Sequence, residues 1–332
     1  MGSSDANERR PGATPVEVLD VDFQPIDESP PARPRLPIRW LPVLLFLLTL
    51  LSTLAVGSEF ASSYALNAEP FSGDDNPFSI MLHPLAHPKL LLLGVPFSFT
   101  LLTILMAHEM GHFFACKYYG IEVSYPYFLP APSLFGTFGA FIRIRSPITT
   151  RRALFDIGIA GPIAGFVLAV PAAAYAIAVS KVVPNAQVDA SMVFGNPPII
   201  RAFVEMFHPG TDPSALLLSP VGRAAWFGLF ATALNLIPAW QLDGGHIVYS
   251  LTADKHQRVS ILVSLILIAM GIYYWHVWVF WGFAMLVLSL RFKHPPVFDR
   301  WQPLNAARKL WAIGALVIFL ACFTLWPVIV SQ

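Results

Sequence analysis

The chain of 332 residues is 55% hydrophobic and only 12% charged, with a mean hydropathy of +0.60. This composition indicates a polytopic membrane protein and excludes an ordinary soluble domain. The net charge of +1, without a basic patch that also carries aromatic residues, argues against nucleic-acid binding. Its two cysteines, Cys116 and Cys322, both fall in apolar segments and indicate neither a disulfide framework nor a cysteine-rich metal site.

The beginning of the chain differs in composition from the rest. Residues 1–37 are rich in Pro, Asp, Glu and Arg. Such a segment cannot bury a core, so we expect a disordered cytoplasmic tail. It does not resemble a signal peptide, because the first apolar stretch starts too late. Residues 38–332 are predicted to form a membrane domain.

Apolar segments fill most of the membrane domain. They cover residues 40–57, 90–118, 153–180, 223–242, 258–275, 277–291 and 310–328. Most are long enough to cross a hydrocarbon layer about 30 Å thick. The fifth and sixth are separated only by Tyr274, Trp275 and His276, which indicates a tight hairpin at a membrane interface. The expected fold is an all-α polytopic membrane protein with about six or seven transmembrane helices.

The charges of the loops predict the orientation. Basic residues flank the first span and concentrate in residues 143–152 and 291–309, whereas the loop after the first span is acidic. The positive-inside rule then places the N-terminus and residues 119–152 in the cytoplasm and residues 58–89 and 181–222 outside. From this we expect a multi-pass protein of a bacterial inner membrane.

Five residues inside the second segment, His108 to His112, read His-Glu-Met-Gly-His. Two His residues four apart lie on one face of a helix, where they can supply two ligands of a tetrahedral zinc site. Glu109 lies beside them, where it can act as a general base. A lone His would more often be a polar residue satisfied inside a helix bundle. Three ionisable residues in an apolar segment instead indicate a functional site.

Residues 119–152 are apolar and aromatic, but Pro126, Pro130 and Pro132 prevent a regular helix. Residues 136–145 end in an alternating pattern that predicts a strand. Extended backbone at membrane depth is tolerated only beside protein or a water-filled cavity, so we expect a short membrane-associated β segment near the zinc site. The alternative is an ordinary amphipathic loop.

Two later segments show no catalytic residues, and the first of them indicates helix packing. Gly161 and Gly165 form a G-x-x-x-G pattern in the third span, which allows a second helix to approach closely. The loop of residues 181–222 is polar, with a short helix predicted near Ile199 to Phe207.

A third metal ligand is expected in the fourth span, because a catalytic zinc site uses three protein ligands. Asp243 lies at the end of that span, at a depth similar to that of the two His residues. Pro238 should loosen the helix before it, and Gly244 with Gly245 should end the helix. The alternative is an Asp at a helix end that simply faces the cytoplasm.

At these positions the sequence resembles the site-2 protease family of intramembrane zinc metalloproteases. The resemblance rests on His108 to His112, on Gly158 to Pro162, and on the residues from Asn235 to Gly244, including Pro238, Leu242 and Asp243. It covers a three-helix catalytic core of about residues 90–250. No stretch is long and polar enough for a PDZ domain, so the chain resembles the branch that lacks one.

The resemblance implies one zinc ion per chain, bound by His108, His112 and Asp243, with Glu109 as the catalytic base. It also implies that Asn235 helps to hold the substrate backbone or the oxyanion. An unwound substrate is expected to pair with the edge of the predicted strand. We therefore predict that substrate also contacts these strand residues: Gly136, Thr137, Phe138, Gly139 and Ala140.

The predicted function is hydrolysis of peptide bonds in transmembrane protein substrates, within or near the lipid bilayer, without nucleic acid as a partner. Three alternatives remain. A second class of membrane metalloprotease uses Glu as its third ligand, whereas the best candidate here is Asp243. A non-proteolytic member of the same family would bind membrane helices without cutting them. A transporter should show broken helices in paired halves, and the sequence contains no such pairing.

Overall fold

The structure, a computed structural model, describes residues 40–70, 84, 86–183, 192–252, 255–299 and 302–330. The predicted tail of residues 1–37 lies outside these residues. The helices are α1 Leu41–Ala65, α2 Pro88–Leu91, α3 Val95–Tyr118, α4 Arg151–Ala178, α5 Pro198–Phe207, α6 Pro220–Asn235, α7 Asp243–Thr252, α8 His256–Tyr273, α9 Val277–Arg291 and α10 Ala306–Cys322. The strands are β1 Tyr127–Pro130, β2 Thr137–Phe141, β3 Lys181–Val182, β4 Met192–Phe194, β5 Leu216–Leu217 and β6 Val328–Val330.

The described part of the chain contains four helices that are long and apolar enough to cross a membrane. They are Leu41–Ala65, Pro88–Tyr118, Arg151–Ala178 and His256–Tyr273. The second combines α2, a single 3₁₀ turn and α3. The remaining predicted spans form the shorter helices α6, α9 and α10, of 16, 15 and 17 residues. The predicted helical membrane fold is therefore confirmed, but the count of six or seven spans is not.

Capping side chains set several helix starts. Thr150, Ser219 and Asn305 precede α4, α6 and α10. Each of these side chains accepts a hydrogen bond from the backbone N–H three residues further along the chain. Each bond satisfies a backbone donor that has no partner within the first turn of its helix.

The prediction of one helix over residues 223–242 was wrong. The structure ends α6 at Asn235 and starts α7 at Asp243. Pro238 lacks the N–H needed to continue a helix, and Trp240 adopts a φ of 49°. Gly244 and Gly245 lie inside the first turn of α7 and do not end a helix. An added Cβ on Gly244 would lie only 2.1 Å from the carbonyl oxygen of Leu236, so the turn can fold tightly against α7.

The predicted β segment is present and forms a hairpin. Strands β1 and β2 pair antiparallel, with Tyr127 opposite Phe141 and Phe128 opposite Ala140. The strand is shorter than residues 136–145, because regular pairing ends at Phe141 and only one isolated bridge, to Ile144, follows. As this sheet has two strands among the described residues, one edge of β2 carries no β partner there.

The apolar helices α8 and α9 form the predicted hairpin around residues 274–276. Gly271 and Gly282 lie at the contact, where an added Cβ on Gly271 would lie 2.2 Å from the backbone nitrogen of Val279. The two helices therefore pack with their backbones close together. Helix α5 confirms the short helix predicted near Ile199 to Phe207.

Loops predicted to lie on one side of the membrane meet at one end of the helix bundle. At one end, which we call the Arg308 end, Arg308 at the start of α10 pairs with Asp156 near the start of α4. Arg151 there donates to the carbonyl of Ser250 at 2.6 Å. At the opposite end, which we call the sheet end, β4 pairs with β6 near the end of the chain. Helices α4 and α10 thus both begin at the Arg308 end, and the strands β4 and β6 that follow them pair at the sheet end.

A buried ion pair holds the sheet end together. The guanidinium of Arg223 in α6 contacts the carboxylate of Glu69 after α1, and both side chains are at most 5% exposed. Arg223 also lies over the ring of Phe194, 4.8 Å from its centroid. A buried charge that loses its partner is strongly unfavourable.

Replacing Arg223 should therefore destabilise the fold. We expect Arg223→Met to lower the free energy of unfolding by about 3–5 kcal/mol, because the Glu69 carboxylate stays buried without its partner. Arg201→Met, at an exposed arginine, is the matched control. Thermal unfolding of the purified protein measures both. Equal stability of the two variants would contradict a structural role for the pair.

Candidate metal centre

The two His residues and Glu109 lie on the buried part of α3. His108, Glu109 and His112 are each less than 9% exposed, although the helix belongs to an apolar span. The turn after α6 brings Asp243, the first residue of α7, against this face. The structure therefore brings together all three residues that the sequence predicted as metal ligands.

The distances among these side chains fit one metal ion. The Nε2 atoms of His108 and His112 lie 3.1 Å apart, and they lie 3.2 and 3.3 Å from Oδ2 of Asp243. Ligand atoms on a tetrahedral zinc ion are about 3.3 Å apart, given zinc–ligand bonds of about 2.0–2.1 Å. Among the described residues, this is the group of His, Cys, Asp and Glu side chains that could hold a metal.

A backbone carbonyl of α4 fixes the ring of His112. Nδ1 of His112 lies 2.8 Å from the carbonyl oxygen of Ile157. A carbonyl only accepts, so Nδ1 carries the proton and Nε2 presents its lone pair to the metal position. The sequence gave no sign of this contact, because a backbone acceptor can be any residue type.

Small residues allow α4 to approach the metal ligands. An added Cβ on Gly161 would lie 2.1 Å from Nε2 of His112, and one on Gly165 would lie 3.3 Å from His108. On the facing helix, an added Cβ on Gly111 would lie 2.4 Å from the carbonyl oxygen of Ala160. The packing role predicted for Gly161 and Gly165 is thus confirmed. Its partner is the ligand face of α3 itself.

Helix α8 holds the turn that carries Asp243. The backbone N–H of Trp240 donates to Oγ of Ser260 at 3.1 Å, and Nε2 of His256 donates to the carbonyl of Trp240 at 3.0 Å. Sequence reasoning missed both side chains. The available signal was two polar residues four apart at the start of an apolar helix, on one face of it.

Further polar groups surround the ligands. Nδ2 of Asn235 lies 3.3 Å from Nε2 of His108. The side-chain amide that the sequence predicted to hold the substrate therefore lies beside the candidate metal position. The backbone N–H of Ile142, just beyond β2, interacts with the carboxylate of Glu109. His246 does not join the ligands, and its Nδ1 lies 2.8 Å from Nε2 of His294.

A cavity of about 250 Å³ opens beside His108 and Glu109. Most of its wall is apolar and comes from α3, α6 and the β hairpin. Residues 137–140 of β2 and Asn235 line it, whereas Gly136 is not among its lining residues. Gly136 instead packs on α1, where its carbonyl accepts a 2.5 Å hydrogen bond from Ser52. The hydroxyl of Thr137 donates to the carbonyl of Leu129 within the hairpin, and its backbone carbonyl accepts a hydrogen bond from the hydroxyl of Ser133.

Comparison with known proteins places this site in a family. A model described as peptidase family M50 matches residues 96–274, more than half of the chain and all of the candidate metal ligands. The chain belongs to peptidase family M50. This confirms the resemblance to site-2 proteases.

Curated relatives of this M50 chain are plant proteins. "Probable zinc metalloprotease EGY1, chloroplastic" from Arabidopsis thaliana is 26% identical over 87% of this chain and 54% of the relative. "Probable zinc metalloprotease EGY2, chloroplastic" from the same plant is 28% identical over 72% of this chain and 43% of the relative. "Probable zinc metalloprotease EGY3, chloroplastic" from Oryza sativa subsp. indica is 28% identical over 68% of this chain and 41% of the relative. No solved structure matches.

The chain spans about half the length of the curated relatives it matches. Their names and the family support a zinc metalloprotease, and the apolar helices support a membrane protein. The relatives are named as chloroplast proteins, so the expectation of a bacterial inner membrane gains no support from them.

A methyl group on Gly161 should disturb the candidate metal site of this M50 family member. We expect Gly161→Ala to weaken zinc affinity about 10–100-fold, because its Cβ would occupy the space of the His112 ring. Gly165→Ala, with a contact of 3.3 Å, should have a smaller effect. Gly314→Ala, with 3.8 Å to its nearest neighbour, is the control. Titration of purified protein with zinc against a chelator measures all three, and equal affinities would contradict the packing account.

Proposed function

We propose that this chain is an intramembrane zinc metalloprotease that hydrolyses peptide bonds of transmembrane protein substrates. The observation that carries the proposal is the convergence of His108, His112 and Asp243 beside Glu109, at one wall of an apolar cavity. A zinc hydrolase needs this set of groups, and an apolar helix is an expensive place to keep them without a function.

Each polar group has a role in the proposed reaction. Zinc held by the three ligands would polarise the scissile carbonyl and acidify a water molecule. Glu109 takes a proton from the attacking water and returns it to the leaving amine. Asn235 donates from its side-chain amide to the oxygen of the scissile carbonyl as negative charge develops, which contributes a few kcal/mol in comparable sites. The apolar cavity holds a neighbouring apolar side chain of the substrate.

The β2 strand offers hydrogen bonds to an unwound substrate. A transmembrane helix must open before its peptide bond can reach the site, and each unpaired backbone group in an apolar environment costs several kcal/mol. In the part of the chain that the structure describes, one edge of β2 has no strand partner, and residues 137–140 line the cavity beside Glu109. A substrate segment added at that edge regains its backbone hydrogen bonds.

Seven helices cross the membrane in this proposal, because α6, α9 and α10 alternate between the two ends of the bundle with the four longer spans. The Arg308 end faces the cytoplasm or its equivalent compartment, since basic loops concentrate there. Labelling of a cysteine at position 152 from each side tests this, and labelling from the opposite side would reverse the orientation. Arg152 is exposed, whereas Arg151 is buried in contact with Ser250.

A non-proteolytic family member is the competing function, and one pair of variants separates the two. We expect Glu109→Gln to keep about one zinc per chain but to lose most cleavage of a model transmembrane substrate in nanodiscs. His108→Ala should lose both zinc and cleavage. Metal analysis and a gel-based cleavage assay measure these effects. Cleavage by Glu109→Gln near the wild-type rate would place the base elsewhere, and a wild type that binds zinc without cleaving would favour the competing function.

Proline substitutions test the role of the strand. Ile142→Pro removes the N–H that interacts with Glu109, and Phe141→Pro removes an N–H within β2. Successive N–H groups point to opposite edges of a strand, so the two variants should differ, with the larger loss of cleavage in Ile142→Pro. Zinc content should stay at the wild-type level in both. Equal, near-wild-type cleavage in both zinc-loaded variants would show that the segment acts only as a loop.

A further inference from the structure

A second cavity, of about 160 Å³, lies at the Arg308 end between α7, α8 and α9. We call it the Trp240 cavity. Its wall includes Trp240, His256, Ser260, Ser289, Lys293 and His294. It contains none of the proposed metal ligands, and the proposed proteolysis does not use it.

The wall of the Trp240 cavity holds two polar atoms without a partner. Among the described residues, the buried side-chain nitrogen and oxygen atoms that lack a hydrogen bond are Nε1 of Trp240 and Oγ of Ser289. Both residues line this cavity, and Ser289 is only 4% exposed. A buried polar group left unpaired costs about 1–3 kcal/mol, so two such groups in one cavity indicate an occupant.

The two unpaired side chains favour a bound molecule that accepts hydrogen bonds. The indole N–H of Trp240 can only donate, and the hydroxyl of Ser289 can donate as well. The imidazole of His294 is already engaged, because its Nδ1 donates to the carbonyl of Pro295 and its Nε2 accepts from His246. Burial lowers the pKa of His294 to about 3, so this ring stays neutral at pH 7. The occupant therefore faces donors and needs several acceptor oxygens.

The charge around the mouth of the cavity selects an anion. Lys293 lies in its wall, and Arg291 precedes it at the end of α9. Lys255 and Arg258 lie at the start of α8, and all four side chains are exposed. None of the described lining residues is acidic. Such a setting favours a phosphate, whose oxygens accept charge-assisted hydrogen bonds from Lys and neutral donors together.

We propose that the Trp240 cavity binds a phosphate group, supplied either by a free phosphate or by the headgroup of an anionic lipid. Trp240 belongs to the turn whose backbone is held by Ser260 and His256 and which leads to Asp243. A phosphate bound to its indole therefore also stabilises the turn that carries the third metal ligand. The site is distinct from the proposed catalytic centre and does not depend on proteolytic activity.

Binding of inorganic phosphate tests the proposal for the free ion. Calorimetry of the full chain in neutral detergent, with chloride at matched ionic strength as the reference, should show saturable binding and a rise of a few degrees in unfolding temperature. Lys293→Gln and Ser289→Ala should each weaken binding about tenfold or more. Lys309→Gln, an exposed lysine at the same end but outside the cavity, should bind as the wild type does. Trp240→Phe removes the indole donor.

A second experiment tests whether the phosphate belongs to the headgroup of an anionic lipid. The chain in nanodiscs of phosphatidylcholine, with and without phosphatidylglycerol, is analysed by native mass spectrometry for retained lipid. Retention of phosphatidylglycerol that is lost in Lys293→Gln and Ser289→Ala, but kept in Lys309→Gln, supports a lipid headgroup. Binding in the calorimetric arm alone supports a free phosphate. Absence of binding in both arms, or equal binding by all variants, overturns the proposal and leaves a cavity that holds water.

Neither readout involves cleavage, so the outcome is separate from that of the proposed protease function. Glu109→Gln should bind phosphate as the wild type does. A chain that binds phosphate but cuts no membrane substrate would refute the protease alone, and the converse result would refute the phosphate site alone.

Discussion

The close contact between α3 and α4 is the constraint on which the rest of the structure depends. Gly111 and Gly161 remove the side chains that would hold the two backbones apart. Only at this separation can the carbonyl of Ile157 reach Nδ1 of His112 and fix its ring. The distance between these two helices therefore determines both their packing and the orientation of the His112 ring. The glycines at the contact of α3 and α4 therefore have two roles. They let the helices associate closely, and they allow the candidate metal site to form.

The third candidate ligand is positioned in a different way from the first two. His108 and His112 are held by a regular helix, whereas Asp243 starts a new helix after a tight turn. The turn leaves backbone groups outside any helix, and Ser260 and His256 in α8 satisfy those of Trp240. This arrangement explains why an apolar span begins with polar residues on one face. The hairpin of α8 and α9 thus supports the metal position without contributing a ligand.

The sequence predicted the helical membrane fold, the β hairpin and the three side chains that converge at the candidate metal site, because each leaves a local pattern. His108 and His112 are four residues apart on one helix, and the alternation near residues 136–145 marks a strand. The prediction of a helix end at Gly244 and Gly245 was wrong, because both lie within α7. Glycine is common both at helix ends and where two backbones pack closely. Only the tertiary contact of Gly244 with Leu236 shows which of these roles applies here. Contacts to backbone carbonyls, such as that of Ile157, leave no mark in residue type and could not be predicted.

The position of the β hairpin follows from the cost of exposed backbone. A hairpin pairs its own groups, and Ser52 of α1 satisfies the carbonyl of Gly136 where the connection bends. The remaining edge of β2 is the part of this segment that keeps backbone groups available, and it lies at the cavity beside Glu109. A substrate helix that opens elsewhere in an apolar environment would lose several kcal/mol for each unpaired group, whereas one that opens along β2 exchanges helical bonds for strand bonds. Under the proposed function, the same physical penalty that confines irregular backbone to this part of the molecule also directs the substrate to unwind there, next to the base.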